Sequence, residues 1–192
     1  MSRDPSVFRA AAWDAFTSTS RAAIDAPDAE RALLKITGAS KALLGDKDAY
    51  LRPGALKEGE RHYSISGIFL ISPSRRENVL VAEDGFPPEQ HRLRIPIEHG
   101  HPGWMVKHQK PLLLANTDNH NDFKQILKTS RMGSVVFAPL FWKGQMFGQI
   151  VTASQARDTY SEADLAVQIA FGYLAAAVFV AHGGSTLLDG IH

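Results

Sequence analysis

A chain of 192 residues with 44% apolar and 21% charged side chains is long and apolar enough to close one core of domain size. The 21 Lys and Arg balance 20 Asp and Glu, and the net charge of +1 supplies no long-range field toward nucleic acid or an anionic membrane surface. The complete absence of cysteine removes disulfide frameworks, thiolate metal sites and cysteine nucleophiles.

In chain order, Arg3, Asp4, Arg9 and Asp14 interrupt the first residues, so no apolar h-region of a signal peptide forms and a cytoplasmic location is expected. Residues 7–24 are alanine-rich with Phe8, Trp13 and Phe16 interspersed, which predicts a helix with only a loose apolar face. Leu33, Ile36, Thr37, Ser40 and Leu44 recur at helical period and predict a second helix ending near Gly45. Residues 46–61, with Pro53, Gly54 and Gly59, read as a loop. Beyond it the period becomes two: Tyr63, Ile65, Gly67, Phe69 and Ile71 begin a strand that turns at residues 72–74 into a second strand over 78–82. Leu93, Ile95 and Ile97 suggest a third strand. Gly100, Pro102 and Gly103 break it and open a short helix over residues 104–108, followed by a short apolar run at 112–115 and a polar loop at 116–121. A helix over 122–128 and two strands, 134–141 and 145–154, joined at Lys143-Gly144, come next. Ser161 and Asp164 have capping-box spacing, and a final helix runs from them to His182. Its apolar stretch, 166–181, is shorter than the roughly 20 residues needed to cross a bilayer and contains Gln168 and Gly172, so a buried helix and no membrane partner are expected.

Helix, strand pair, irregular segment, strand pair and helix define an α/β chain of the α+β type. The expected architecture is a central antiparallel sheet with the N- and C-terminal helices on one face and a pocket-forming irregular segment on the other. The local residues carry the resemblance further. The strand Ser134-Val135-Val136-Phe137-Ala138-Pro139-Leu140, the turn Lys143-Gly144, the strand Phe147-Gly148-Gln149-Ile150-Val151 and then Tyr160-Ser161-Glu162-Ala163-Asp164-Leu165 together resemble the GAF sensory domain family. Upstream, Gly103-Trp104-Met105-Val106, Lys110-Pro111-Leu112-Leu113-Leu114 and Asp118 are similar to that family's glycine, short helix, proline-preceded strand and Asp. The related PAS type would place most helices between strand pairs and does not account for two helices before the first strand. The expected division is an N-terminal helix over 1–26 acting in dimerisation, a GAF-like domain over 27–182 and a short tail over 183–192.

The resemblance implies a pocket between the sheet and the segment 92–129. His99, His101, Trp104, Asn116, Asp118 and Phe123 are the candidate ligand-binding residues there, because they combine hydrogen-bonding heads with aromatic faces. Each also has a plain structural reading: Trp104 and Phe123 as core, Asn116 and Asp118 as turn residues. His99, His101, His108 and His120 invite a metal, but no His-x-x-x-His pair stands among them and no metal site is assigned. No Gly-x-Ser-x-Gly elbow or phosphate-binding loop occurs. The cyclic-nucleotide signature Asn-Lys-Phe-Asp-Glu of some GAF domains is missing; Asn121-Asp122-Phe123-Lys124 has similar residues in another order. These readings predict a stand-alone sensor, not an enzyme, that binds an unidentified small organic ligand, forms a homodimer and signals to an effector protein on another chain. A dimerisation platform with a vestigial pocket, and an enzyme with non-cysteine chemistry, are the alternatives. The cofactor is unknown and no nucleic-acid partner is expected.

Overall fold

The computed structural model describes residues 3–120, 131–185 and 187. Helix α1 (Pro5–Ile24) starts where the Asp4 carboxylate accepts from the backbone N–H groups of Ser6 and Val7, with proline in its first turn. Helix α2 (Ala29–Leu43) starts at Asp28, which accepts from the Arg31 N–H at 2.7 Å. Strands β1 (Ser64–Ile71) and β2 (Glu77–Asp84) form the expected hairpin, and β3 (Arg94–Pro96) extends it. Helix α3 (Gly100–His108) and β4 (Leu112–Leu114) lead to β5 (Ser134–Trp142), β6 (Gln145–Ser154) and α4 (Glu162–Ala181). The expected helix over 122–128 lies outside the described residues.

All strand pairs are antiparallel, in the order β3-β2-β1-β6-β5-β4. The sheet is covered on both faces, so the alternation that opens β1 gives way to a continuous apolar run from Ile68 onward, and β5 reads as such a run for most of its length. On the helical face, Leu33 and Ile36 of α2 and Phe171 and Ala175 of α4 pack on Ile68, Leu70, Val79, Leu140 and Ile150. On the opposite face, Met105 of α3 joins Phe69, Leu80, Ile95, Leu114, Met132, Phe137 and Val151. A bulge lets both faces be filled: Ile68 pairs Ala82 and Phe69 pairs Leu80, so Val81 is the extra residue and joins the helical-face core.

Two expectations need correction. Helix α3 begins at Gly100, so Gly100, Pro102 and Gly103 form its first turn and do not precede it. Gly103 is required there because a Cβ would stand 2.3 Å from the carbonyl carbon of Glu98. Helix α4 has 20 residues and is long and apolar enough to cross a membrane by length and composition, contrary to the estimate from its apolar stretch alone. Its packing marks it as a core helix instead: it lies on β5 and α2, with Phe171, Gly172, Gln168 and Asp164 buried. The capping box at its start is formed as predicted, with Ser161 N donating to Asp164 Oδ2 at 2.9 Å.

Candidate functional site

The α3 side of the sheet is closed by short elements: a three-residue strand, the nine-residue α3 and the turn that follows β4. His101, in the first turn of α3, is 7% exposed and lies over the sheet with its ring stacked 6.3 Å from that of Phe137. Trp104, one turn on, packs against the α3-side core and stacks on His108 with ring centroids 4.3 Å apart. His99 is the helix cap residue, makes no side-chain cap bond and is exposed. Two polar side chains missed by the sequence reading also lie in this layer. Asn78 on β2 and Gln149 on β6 are fully buried, and Gln149 Nε2 donates to Asn78 Oδ1 and to the Pro102 carbonyl of α3, both at 3.1 Å. The signal for Gln149 was available, since it is the one polar residue at an inward position in Gly148-Gln149-Ile150-Val151.

Asn116 and Asp118 belong to a different arrangement. Asn116 Oδ1 accepts from the Asp118 N–H at 3.0 Å and caps the 3-10 turn Thr117–Asn119. The Asp118 carboxylate meets three cations: Arg157 Nε at 2.9 Å, Lys57 Nζ at 2.7 Å and Arg131 Nε at 3.3 Å. Arg157 is 2% exposed and forms the centre of this clasp, donating to both oxygens of Glu60 and to the carbonyls of Ala55 and Gln155. The hydrogen bonds from Arg157 and then Lys57 lower the Asp118 carboxyl to about 2. Burial pushes Glu60 upward, but the Arg157 hydrogen bond and the Lys57 N–H outweigh it and hold the group below its ordinary value. Thr117, buried beside Asp118, donates from Oγ1 to the Met132 carbonyl at 2.7 Å, so the clasp fastens the rim of the α3-side layer.

The structure therefore brings His101 and Trp104 together on α3, sets Asn116 and Asp118 in the rim and leaves His99 outside. Phe123 lies outside the described residues. Among the described residues no group of three or more His, Asp or Glu is placed to hold a metal. A cleft of about 500 Å³ at the start of α4 is lined by charged groups that already pair, Arg3 with Asp164 and Arg52 with Asp46.

An antiparallel sheet with long helices on one face and short, polar-bearing elements on the other defines an α+β domain. The chain belongs to the GAF domain family, whose model matches residues 55–180. Solved structures similar to it include the GAF domains of phosphoenolpyruvate-protein phosphotransferases from Acinetobacter and from Coxiella burnetii. The first is 16% identical, with a TM-score of 0.72 over 90% of this chain and 94% of that one. The second is 18% identical, with a TM-score of 0.72 over 92% and 96%. Also similar is the free methionine-R-sulfoxide reductase of Neisseria meningitidis in complex with its substrate, 17% identical, with a TM-score of 0.71 over 96% of each chain. No curated protein matches the chain. At these identities the likeness establishes the fold. It also corrects the expectation of a domain that is not an enzyme: further methionine-R-sulfoxide reductases share this fold, so the fold gives that exclusion no support.

Proposed function

We propose that this GAF domain binds a small organic molecule between the sheet and α3, with His101 and Trp104 against it, and passes the change in occupancy to a partner through its helical face. The observation that supports this reading is the presence of fully or nearly fully buried polar side chains, His101, Asn78 and Gln149, beside the α3-side apolar cluster, in a layer that among the described residues is closed by short elements. Native mass spectrometry of the purified protein tests it. The expected result is an excess mass that is lost on denaturation. The released compound should quench or shift Trp104 emission in a variant with Trp13 and Trp142 replaced by Phe, and Trp104→Ala should weaken its binding at least tenfold. Protein with no retained mass, and no emission response to a metabolite extract, would overturn the reading.

A second observation favours homodimerisation. Trp13 is 71% and Tyr173 62% exposed, and beside Trp13 an apolar groove of about 440 Å³ runs between α1 and α4, lined by Phe8, Ala12, Phe16, Ala166 and Ala170. A second copy covering this surface would give the isologous dimer expected from the sequence. Light scattering at micromolar concentration should return twice the chain mass, falling to the monomer in Trp13→Glu with Tyr173→Glu. A dimer without a retained ligand would support the platform reading over the sensor.

A further inference from the structure

Asn78 and Gln149 reach toward each other across β1, to which β2 and β6 both pair. Asn78 stands opposite Ile71 and Ile95, and Gln149 opposite Phe69, all three members of the α3-side apolar cluster. Their mutual bond and the bond to Pro102 use the Gln149 N–H₂ and the Asn78 carbonyl. Among the described residues, Asn78 Nδ2 and Gln149 Oε1 are buried without a hydrogen-bond partner. One is a donor and the other an acceptor. Replacing such a pair with apolar side chains of similar shape is neutral or stabilising, so its presence in an apolar layer is unfavourable to the fold unless something completes it. The side chains opposite the pair, Phe69, Ile71 and Ile95, are apolar, so an ion placed against them would lose its hydration.

We propose that Asn78 and Gln149 read the amide-type edge, an N–H beside a C=O, of a neutral small molecule held between the sheet and α3. The ligand C=O accepts from Asn78 Nδ2 and its N–H donates to Gln149 Oε1. The surrounding Phe69, Ile71 and Ile95 favour carboxamides, lactams and imides over carboxylates and ammonium ions. This assignment rests on the reading of the α3 side as the ligand site and adds the ligand's chemical class to it.

The test uses ¹⁵N-labelled full-length protein and 2-pyrrolidinone as probe, with acetate and methylammonium as charged controls, each titrated up to its solubility. The side-chain N–H₂ signals of Asn78 and Gln149 are assigned in the wild type, through bonds to their own side-chain carbons in a sample that also carries ¹³C, and Asn78→Leu and Gln149→Met check the assignment. Saturable shifts of both N–H₂ pairs with 2-pyrrolidinone and not with either ion, and at least tenfold weaker binding to Gln149→Met, are the expected results. The wild-type titration stands even if a variant fails to fold. Shifts confined to the Trp104 indole N–H and the α3 amides would overturn the proposal while leaving the α3 side as a ligand site. Response to the ions as strong as to the lactam would also overturn it, as would no response at the two pairs, which would make them a self-contained or water-filled structural bridge.

Discussion

The two faces of the sheet handle buried polar groups in opposite ways. On the helical face, Ser40 of α2, Ser66 of β1, Thr152 of β6 and Gln168 of α4 are all fully buried. Ser40 Oγ donates to Gln168 Oε1 at 2.7 Å and lies 2.6 Å from Thr152 Oγ1, which accepts from Gln168 Nε2 at 3.2 Å and lies 3.0 Å from Ser66 Oγ. That knot is closed and ties two helices to two strands in one register. On the α3 face the amide pair is half complete, and the fastening is moved to the rim, where Arg157 gathers Glu60 and Asp118. A closed network specifies the fold; an open one inside a layer of short elements has capacity left for something else.

The sharpest way to break this comparison is to truncate each core. Phe171→Ala on the helical face should cost about 4 kcal/mol, and Met105→Ala beneath α3 about half that, because a nine-residue helix can settle into the space. Urea denaturation that ranks Met105→Ala as the costlier would reverse the assignment of stability to the helical face. Arg157→Met should follow at about 3 kcal/mol, since it removes the buried centre of the clasp and takes the guanidinium partner from Glu60, while Asp118 keeps Lys57 and Arg131. The clasp also has a pH signature. Asp118 is lowered from 3.8 to about 2, so its stabilisation is fully present above the unfolded value and is lost as pH falls through the folded one. Thermal unfolding followed between pH 5 and pH 2 should decline more steeply for the wild type than for Asp118→Asn; parallel curves would remove Asp118 from the clasp. The smallest contrast lies between the two polar groups. Gln168→Leu should cost about 2 kcal/mol, whereas Asn78→Leu with Gln149→Leu should change stability by less than about 0.5 kcal/mol in either direction. Equal losses would mean that the two faces do not differ in the way described.

Much of the fold was legible because each element carries its own local signal. The alternation that opens β1, the Lys143-Gly144 turn and the Ser161-Asp164 box are all set within a few residues, whereas the caps at Asp4 and Asp28 went unread. The candidate site was only partly legible, and for a physical reason. Asp118 looked free because its partners are remote: Arg157 lies 39 residues away from it and 97 from Glu60. Histidine and tryptophan in a loop draw the eye, yet His99 is exposed, while Asn78 and Gln149, hidden in strands that read as ordinary, sit inside the layer. The start of α3 was misjudged because Gly100, Pro102 and Gly103 are read as breakers by propensity, whereas the close approach of Glu98 makes Gly103 necessary within the helix.

The strand order divides the sheet into two consecutive meanders, β1-β2-β3 and β4-β5-β6, that meet only along β1 and β6. At that seam Ser66 contacts the carbonyl of Val151, 85 residues further along the chain. During synthesis the first meander therefore waits with one long edge of β1 unpaired until almost the whole domain has left the ribosome, a slow, non-local closure of the kind that exposes nascent chains to misassociation. The same seam makes the domain divisible. Halves cut in the exposed stretch around Gln109 and Lys110, between α3 and β4, would each hold a complete meander and could reassemble by zipping β1 to β6.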